Sequence, residues 1–333
     1  MTSREIIKCN LAGKGAGRFG MHFDGNRQND FVRAKISPST GWTPQCWVTG
    51  KTEFYTDEWG NTWHRLVNTS VKGEIYKPAL QDWAQLKDWH LPDLDNPARY
   101  ISVKQAFESA PDKYRLGGSL PGFPFAICRY LRKMEIYFQD LILEREHIDE
   151  LHDKVTGLLE RMIKRYAAAG ADGVFFCEDW GIQNRLLISP VMWREIFKPL
   201  FRRLCGVANK AGIKVLMHSC GYNWDILDDL AEVDISAFQF DQPELYGLER
   251  LATKLKATGV CLWSPVDIQK ILPTGNKRLI IESAGRMVDL FSRQNRSFIA
   301  HGYSDLKGIG VREEWDQWAY DTFAALAESN HPG

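Results

Sequence analysis

The sequence has no run of about 18 apolar residues, and no apolar stretch follows Met1, so neither a membrane span nor an export signal is expected. A cytoplasmic location follows from that reading. There is no net charge either: 42 Lys and Arg offset 42 Asp and Glu. The basic footprint that nucleic acid or an anionic lipid surface requires is therefore missing. Cysteine is sparse and odd in number, with seven thiols scattered over 333 residues. Such a pattern is no disulfide framework and fits a reducing compartment. Cys9, Cys46, Cys128 and Cys205 read as packing or surface thiols. Repeats and low-complexity segments are absent, and so is a phosphate loop. Gly13-Lys-Gly-Ala-Gly17 has neither the spacing nor the strand-then-helix setting that such a loop needs.

What is present is a chain with 44% hydrophobic residues, enough to bury a sizeable core in one domain spanning residues 1–333. Strand and helix signals alternate after Tyr114. Candidate strands are Tyr114–Ser119, Gly173–Cys177, Ile213–Met217, Ile235–Phe240, Gly259–Trp263 and Ser297–Ala300. Helical spacing covers Ile148–Gly170 and Trp315–Ala327, and Ser189-Pro190 opens another helix with a capping serine and a first-turn proline. Such alternation argues for a parallel sheet. Nearer the start, Met1–Lys14 reads as a helical lead-in and Arg18–Asp24 as a first strand. Thr43–Val67 alternates polar and aromatic residues about Gly60-Asn61, which predicts a hairpin excursion.

The most informative stretch is Lys214-Val-Leu-Met-His-Ser-Cys-Gly221. Alternate strand positions share a face, so His218 and Cys220 can converge if the chain stays extended. An imidazole and a thiolate together suit zinc.

Four segments carry a resemblance to a known family: Gly170-Ala-Asp-Gly-Val-Phe-Phe-Cys-Glu-Asp-Trp-Gly181, Leu187-Ile-Ser-Pro-Val-Met-Trp-Arg-Glu-Ile-Phe-Lys-Pro199, His218-Ser-Cys-Gly221 and Phe240-Asp-Gln-Pro243. They resemble the uroporphyrinogen decarboxylase superfamily, most strongly from about Glu135 onward. The resemblance implies a (β/α)8 TIM barrel, with the Thr43–Val67 hairpin as an N-terminal excursion. That superfamily holds porphyrinogen decarboxylases and cobalamin-linked methyltransferases, many of the latter with zinc. Asp57-Glu-Trp-Gly60 is also similar to an element of the methyltransferase-like branch.

In a barrel, reactive groups sit on the loops after strands. On that rule Glu178, His218 and Cys220 are the expected catalytic residues and metal ligands, Glu178 standing also as a helix-capping carboxylate. Relatives with zinc carry another Cys or His near the position of Tyr303 or Ser304, so the remaining ligand is open between Cys261 and His301. Trp180, Gln183, Arg185, Trp224, Phe240, Asp241, Trp263 and Tyr303 are the expected substrate-binding residues, Arg185 as a carboxylate partner or a solvated surface arginine. His22 is read as a core histidine.

The resemblance implies a zinc-dependent methyltransferase moving a methyl group between a small methylated substrate, such as a methoxylated aromatic compound, and a corrinoid on a carrier protein. Two other classes stay open. A metal-free decarboxylase would carry an Arg-Gln-Ala-Gly-Arg segment, of which Gly15-Ala-Gly-Arg18 is only an echo. A barrel that binds a corrinoid or small ligand without turnover is the third.

Overall fold

The computed structural model describes residues 1–67, 73–118 and 120–329; Ser119, the last residue of one predicted strand, lies outside them. Helix α1 (Ser3–Leu11) starts at a reciprocal cap between Thr2 and Glu5. Strands β1 (Gly20–His22) and β2 (Phe31–Ala34) follow, then β3 (Cys46–Thr49), β4 (Thr52–Thr56), β5 (Thr62–Leu66) and β6 (Glu74–Lys77). After α2 (Ile101–Glu108) and β7 (Tyr114–Gly117) come α3 (Pro124–Arg132), α4 (Met134–Leu143) and α5 (Arg145–Ala168). The rest alternates regularly: β8 (Gly173–Cys177), α6 (Pro190–Lys210), β9 (Lys214–His218), α7 (Leu227–Glu232), β10 (Ile235–Gln239), α8 (Leu248–Thr258), β11 (Cys261–Ser264), α9 (Lys277–Met287), β12 (Phe298–His301) and α10 (Glu313–Ser329).

Eight strands pair in parallel in the order β1-β12-β11-β10-β9-β8-β7-β2. They form a (β/α)8 barrel, nearly closed. At the seam, β1 and β2 meet through one antiparallel bridge, His22 to Asn29. Asp30 holds that seam: its buried carboxylate accepts both Nη1 and Nη2 of Arg18, at 2.7 and 2.6 Å, and the Met21 amide at 2.7 Å. Ile7 and Leu11 of α1 join the interior cluster with Phe31, Tyr114, Leu116, Phe175, Leu216 and Trp263. Arg4 and Lys8 on the same helix pair with Asp172, just before β8. Helix α1 thus plugs the N-terminal end of the barrel, and only the opposite end is open for chemistry.

The excursion is larger than a hairpin. Strands β3 to β6 form a separate four-stranded antiparallel sheet, with the β4–β5 turn built as expected around Gly60, where Asp57 accepts the amides of Trp59 and Asn61 at 2.9 Å. Arg99 ties the turn to the barrel by a two-pronged bond to Glu58 at 2.8 and 2.9 Å. Among the described residues, no helix is long and apolar enough to cross a membrane.

Candidate active site

Alternation along the strands decides what faces inward. In β9, Leu216 belongs to the interior cluster, so His218, two residues on, faces the same way at the strand's C-terminal end. The loop that follows is held against the loop after β8 at a glycine contact. Gly221 has φ +77°, and a methyl group added there would collide with the Gly181 carbonyl. Across that contact the Cys220 amide donates to Asp179 Oδ1 at 2.8 Å. Asp179, His218 and Cys220 therefore present one oxygen, one nitrogen and one sulfur within 4.8 Å of one another. His218 Nε2 lies 3.3 Å from Cys220 Sγ and 3.6 Å from Asp179 Oδ1.

The other edge of His218 is committed. Gln239 donates its Nε2 to Asp241 Oδ1 at 2.7 Å, which turns its Oε1 to His218 Nδ1 at 2.5 Å. A carbonyl oxygen only accepts, so Nδ1 carries the proton and Nε2 offers a lone pair toward Cys220 and Asp179. Metal-bound histidines use the same arrangement behind them. Ligand separations around a tetrahedral zinc are about 3.4–3.6 Å, from bonds of about 2.0–2.3 Å. The donor types, and the two separations measured from His218 Nε2, fit that ion.

His218, Cys220, Gln239 and Asp241 open into a mouth cavity of about 740 Å³ lined also by His22, Arg33, Phe175, Cys177, Trp263, His301 and Tyr303. Trp263 stacks on Phe31 with centroids 5.3 Å apart. His22 and His301 stack at 4.9 Å with their Nδ1 atoms 3.0 Å apart, and His301 Nδ1 also meets the His22 carbonyl at 3.0 Å. Because a carbonyl oxygen only accepts, His301 carries its hydrogen on Nδ1 and donates it there. Burial lowers the basicity of both rings, and each stays neutral near pH 7. His22, expected in the core, is buried against Phe31 and Trp263 and also lines the cavity; His301 stands outside the Asp179–His218–Cys220 group.

Glu178 is placed differently from the expectation. Its side chain is fully buried and turns away from that group, its Oε1 accepting the Ala126 amide at 2.9 Å in the first turn of α3. The other reading of this residue, a surface-edge carboxylate capping the next helix, does not describe it either: the carboxyl is buried and accepts an amide of α3, a helix earlier in the chain. Asp179 brings the acid to His218 and Cys220. Burial pushes the Glu178 carboxyl up to about 8, so at pH 7 it is mostly protonated when folded and ionised when unfolded. Stability contributed by the proton is full below the unfolded value, about 4.3, and is lost as pH rises toward 8, by up to about 1.4 kcal/mol per pH unit. Glu178→Gln is expected to flatten that slope. Urea midpoints at pH 5, 6, 7 and 8 should show the variant gaining on the wild type at each step; parallel curves would reject the assignment.

Cys261 is the other displaced ligand candidate. It lies in the barrel interior one inward position below Trp263, fully buried, its thiol pushed up by burial to about 12. Trp180 is fully buried among Phe125, Trp193 and Phe197, behind the wall. Phe240 likewise packs outward against Phe238 and Tyr246. Trp224 lies under Arg250, 3.6 Å from its guanidinium, on the outer surface. Gln183 and Arg185 are exposed, and Arg185 borders a separate surface hollow with Ser189 and Asp225. Only Asp241, Trp263 and Tyr303 of the expected substrate residues line the mouth. Burial raises the Tyr303 hydroxyl to about 12, so it is a proton donor at neutral pH.

Gln239 and Arg33 were missed. A polar residue at an inward position of the apolar Ile235–Phe240 run, two before Asp241, was the available signal for Gln239. Arg33 had none, because an inward charge breaks the strand pattern.

The sequence profile of the family described as uroporphyrinogen decarboxylase (URO-D) matches residues 68–302, more than half of the chain. The chain belongs to the uroporphyrinogen decarboxylase family. The family match begins after β1 and β2, so the strands bearing His22 and Arg33 lie outside it, while β6 to β12 lie within. Among solved structures, a methyltransferase from Methanosarcina mazei is similar over 98% of this chain and 99% of its own, at 13% identity and a TM-score of 0.68. A D-psicose 3-epimerase crystallised with D-fructose is similar over 75% of this chain and 88% of its own, at 10% identity and a TM-score of 0.42. The first of these shares the whole fold of this uroporphyrinogen decarboxylase family member. None of the curated proteins matches the chain in sequence.

Proposed function

We propose that this barrel is a zinc-dependent methyltransferase that moves a methyl group between a small methylated substrate and a corrinoid held by a separate carrier protein. The observation that carries the reading is the convergence of Asp179, His218 and Cys220 at the barrel mouth, with Gln239 and Asp241 behind the imidazole. The full-length likeness to a protein named a methyltransferase supports it.

In this reading Asp179 Oδ1, His218 Nε2 and Cys220 Sγ would hold the metal. Zinc would supply Lewis acidity toward the heteroatom that gives up or takes the methyl group. The chain's own residues do the rest. Gln239 keeps the His218 lone pair facing the metal position, since any ring flip breaks the bond to its Oε1. Trp263, Phe31 and Phe175 form an apolar floor that keeps water from the transferring group. Tyr303, at the mouth, can donate a hydrogen bond to a substrate oxygen. A methoxylated aromatic compound suits such a floor.

Decarboxylation is the alternative outcome. Arg18, the echo of the decarboxylase segment, is bound to Asp30 at the seam and is not among the residues lining the mouth. Mixing the protein with zinc, reduced corrinoid and a panel of methylated donors should give the absorption change of a methyl-cobalt species with at least one donor. Carbon dioxide released from a porphyrinogen, with no metal and no response to corrinoid, would replace this reading with the decarboxylase.

A further inference from the structure

We propose that the ligand of the mouth cavity carries a carboxylate on a flat apolar frame, and that Arg33 is the residue that binds this carboxylate. The proposal deepens the methyltransferase reading by naming the class of its substrate, but the binding it describes needs neither metal nor corrinoid. Phe31 of β2 faces the barrel interior, so Arg33, two residues on, points the same way one layer nearer the mouth. Its guanidinium lies over the face of Phe175, 5.0 Å from the ring centroid. On β7, the strand between β2 and β8, Tyr114 and Leu116 are the inward residues and the next inward position is Gly118.

Arg33 is the one Lys or Arg among the described residues lining the cavity. Next to it lie three rings: Phe31 is parallel to Trp263 within 6°, and Phe175 lies 5.2 Å from Trp263. A planar fork at the edge of an aromatic floor matches a carboxylate joined to a planar frame: the fork takes both oxygens and the floor takes the ring. Arg33 is itself exposed at the cavity; the packing around its guanidinium disfavours the charge, and Cys177 and Asp24 oppose that effect. An anion brought by a ligand adds to that opposing effect.

The competing charges are three carboxylates. Asp24 and Asp305 are exposed at the rim, and Asp241 is engaged by Gln239. If the rim dominated, the cavity would prefer a cation. Arg185, the carboxylate partner expected from sequence, sits outside this cavity, which leaves the role to Arg33.

Calorimetric titration of the full chain with 4-methoxybenzoate, methoxybenzene and 4-methoxybenzylamine, with and without zinc, tests the proposal. The carboxylate should bind at least tenfold more tightly than the neutral ether. Arg33→Met should weaken the carboxylate about 10- to 100-fold, the range for a lost charge-assisted bond, and leave the ether unchanged. Arg33→Lys should recover part of the loss, and Cys220→Ser should keep the preference. Equal affinities for the carboxylate and the ether, tightest binding of the amine, no binding of the carboxylate at millimolar concentration, or an Arg33→Met protein that keeps the preference would each overturn it. A chain that binds the carboxylate through Arg33 yet methylates no corrinoid would sink the methyltransferase reading and leave this site standing.

Discussion

Cys220→Ser is expected to lose zinc and methyl transfer while keeping the fold. Serine is nearly the size of cysteine, and the backbone bond from residue 220 to Asp179 does not involve the side chain. Zinc binds the thiolate, which a thiol forms by losing one proton near neutral pH; a hydroxyl does not do so and is a much poorer ligand. Under the proposed assignment two donors would remain, Asp179 and His218, too few for a retained ion. Metal analysis after dialysis should fall from roughly one zinc per chain to near none, an affinity loss of about 100-fold or more. Zinc affinity of the wild type should itself fall as pH is lowered, since protons compete for the sulfur and the imidazole. A serine variant that keeps zinc and turnover would remove Cys220 from the site.

Trp180→Ala is expected to have the largest effect on stability, about 3–5 kcal/mol. The indole is fully buried and stacks on Phe125 at 4.1 Å, with Phe197 at 4.8 Å and Trp193 at 6.0 Å. These rings come from α3 and α6 and from the loop after β8, so removing one leaves a void that three rigid elements cannot fill together. The urea midpoint should drop sharply, with Trp180→Phe losing much less. Residue 180 also follows Asp179 directly, so the alanine variant should weaken zinc binding through the displaced loop. A wild-type midpoint combined with altered ligand binding would return Trp180 to the cavity wall, where the sequence reading had put it.

The misplacement of Trp180, Phe240 and Trp224 has one cause. Proximity along the chain to a strand end says that a residue is near the mouth, but not which way its side chain turns. Trp180 and Phe240 each sit beside a residue of the cavity system, Asp179 and Asp241, and adjacent residues on extended backbone point oppositely. Glu178 and Asp179 were both legible as carboxylates after β8. Choosing between them required the register of β8 against β9, in which Cys177 lies beside His218.

The sequence by itself determined the alternating strand and helix units, because hydrophobic periodicity and turn residues act over a few neighbours and recur for each β/α unit; that the sheet closes into a barrel was implied by the family resemblance. The sequence also put His218 and Cys220 close together at the end of an apolar strand, but β9 stops at His218, and the loop contact between Gly221 and Gly181 is what sets Cys220 beside the imidazole. Short β2 and the full β3–β6 sheet escaped a sequence reading: inward Arg33 interrupts the apolar pattern of the first, and in the second, whose first three strands are exposed or half-buried, the polar–aromatic alternation marked only a hairpin. Only the tertiary structure decided that Asp179 joins the pair, that Gln239 orients the imidazole, and that His22, Arg33 and His301 share one cavity. Those groups are 11 to 279 residues from one another along the chain, and what brings them together is barrel closure, a property of eight strands packed at once.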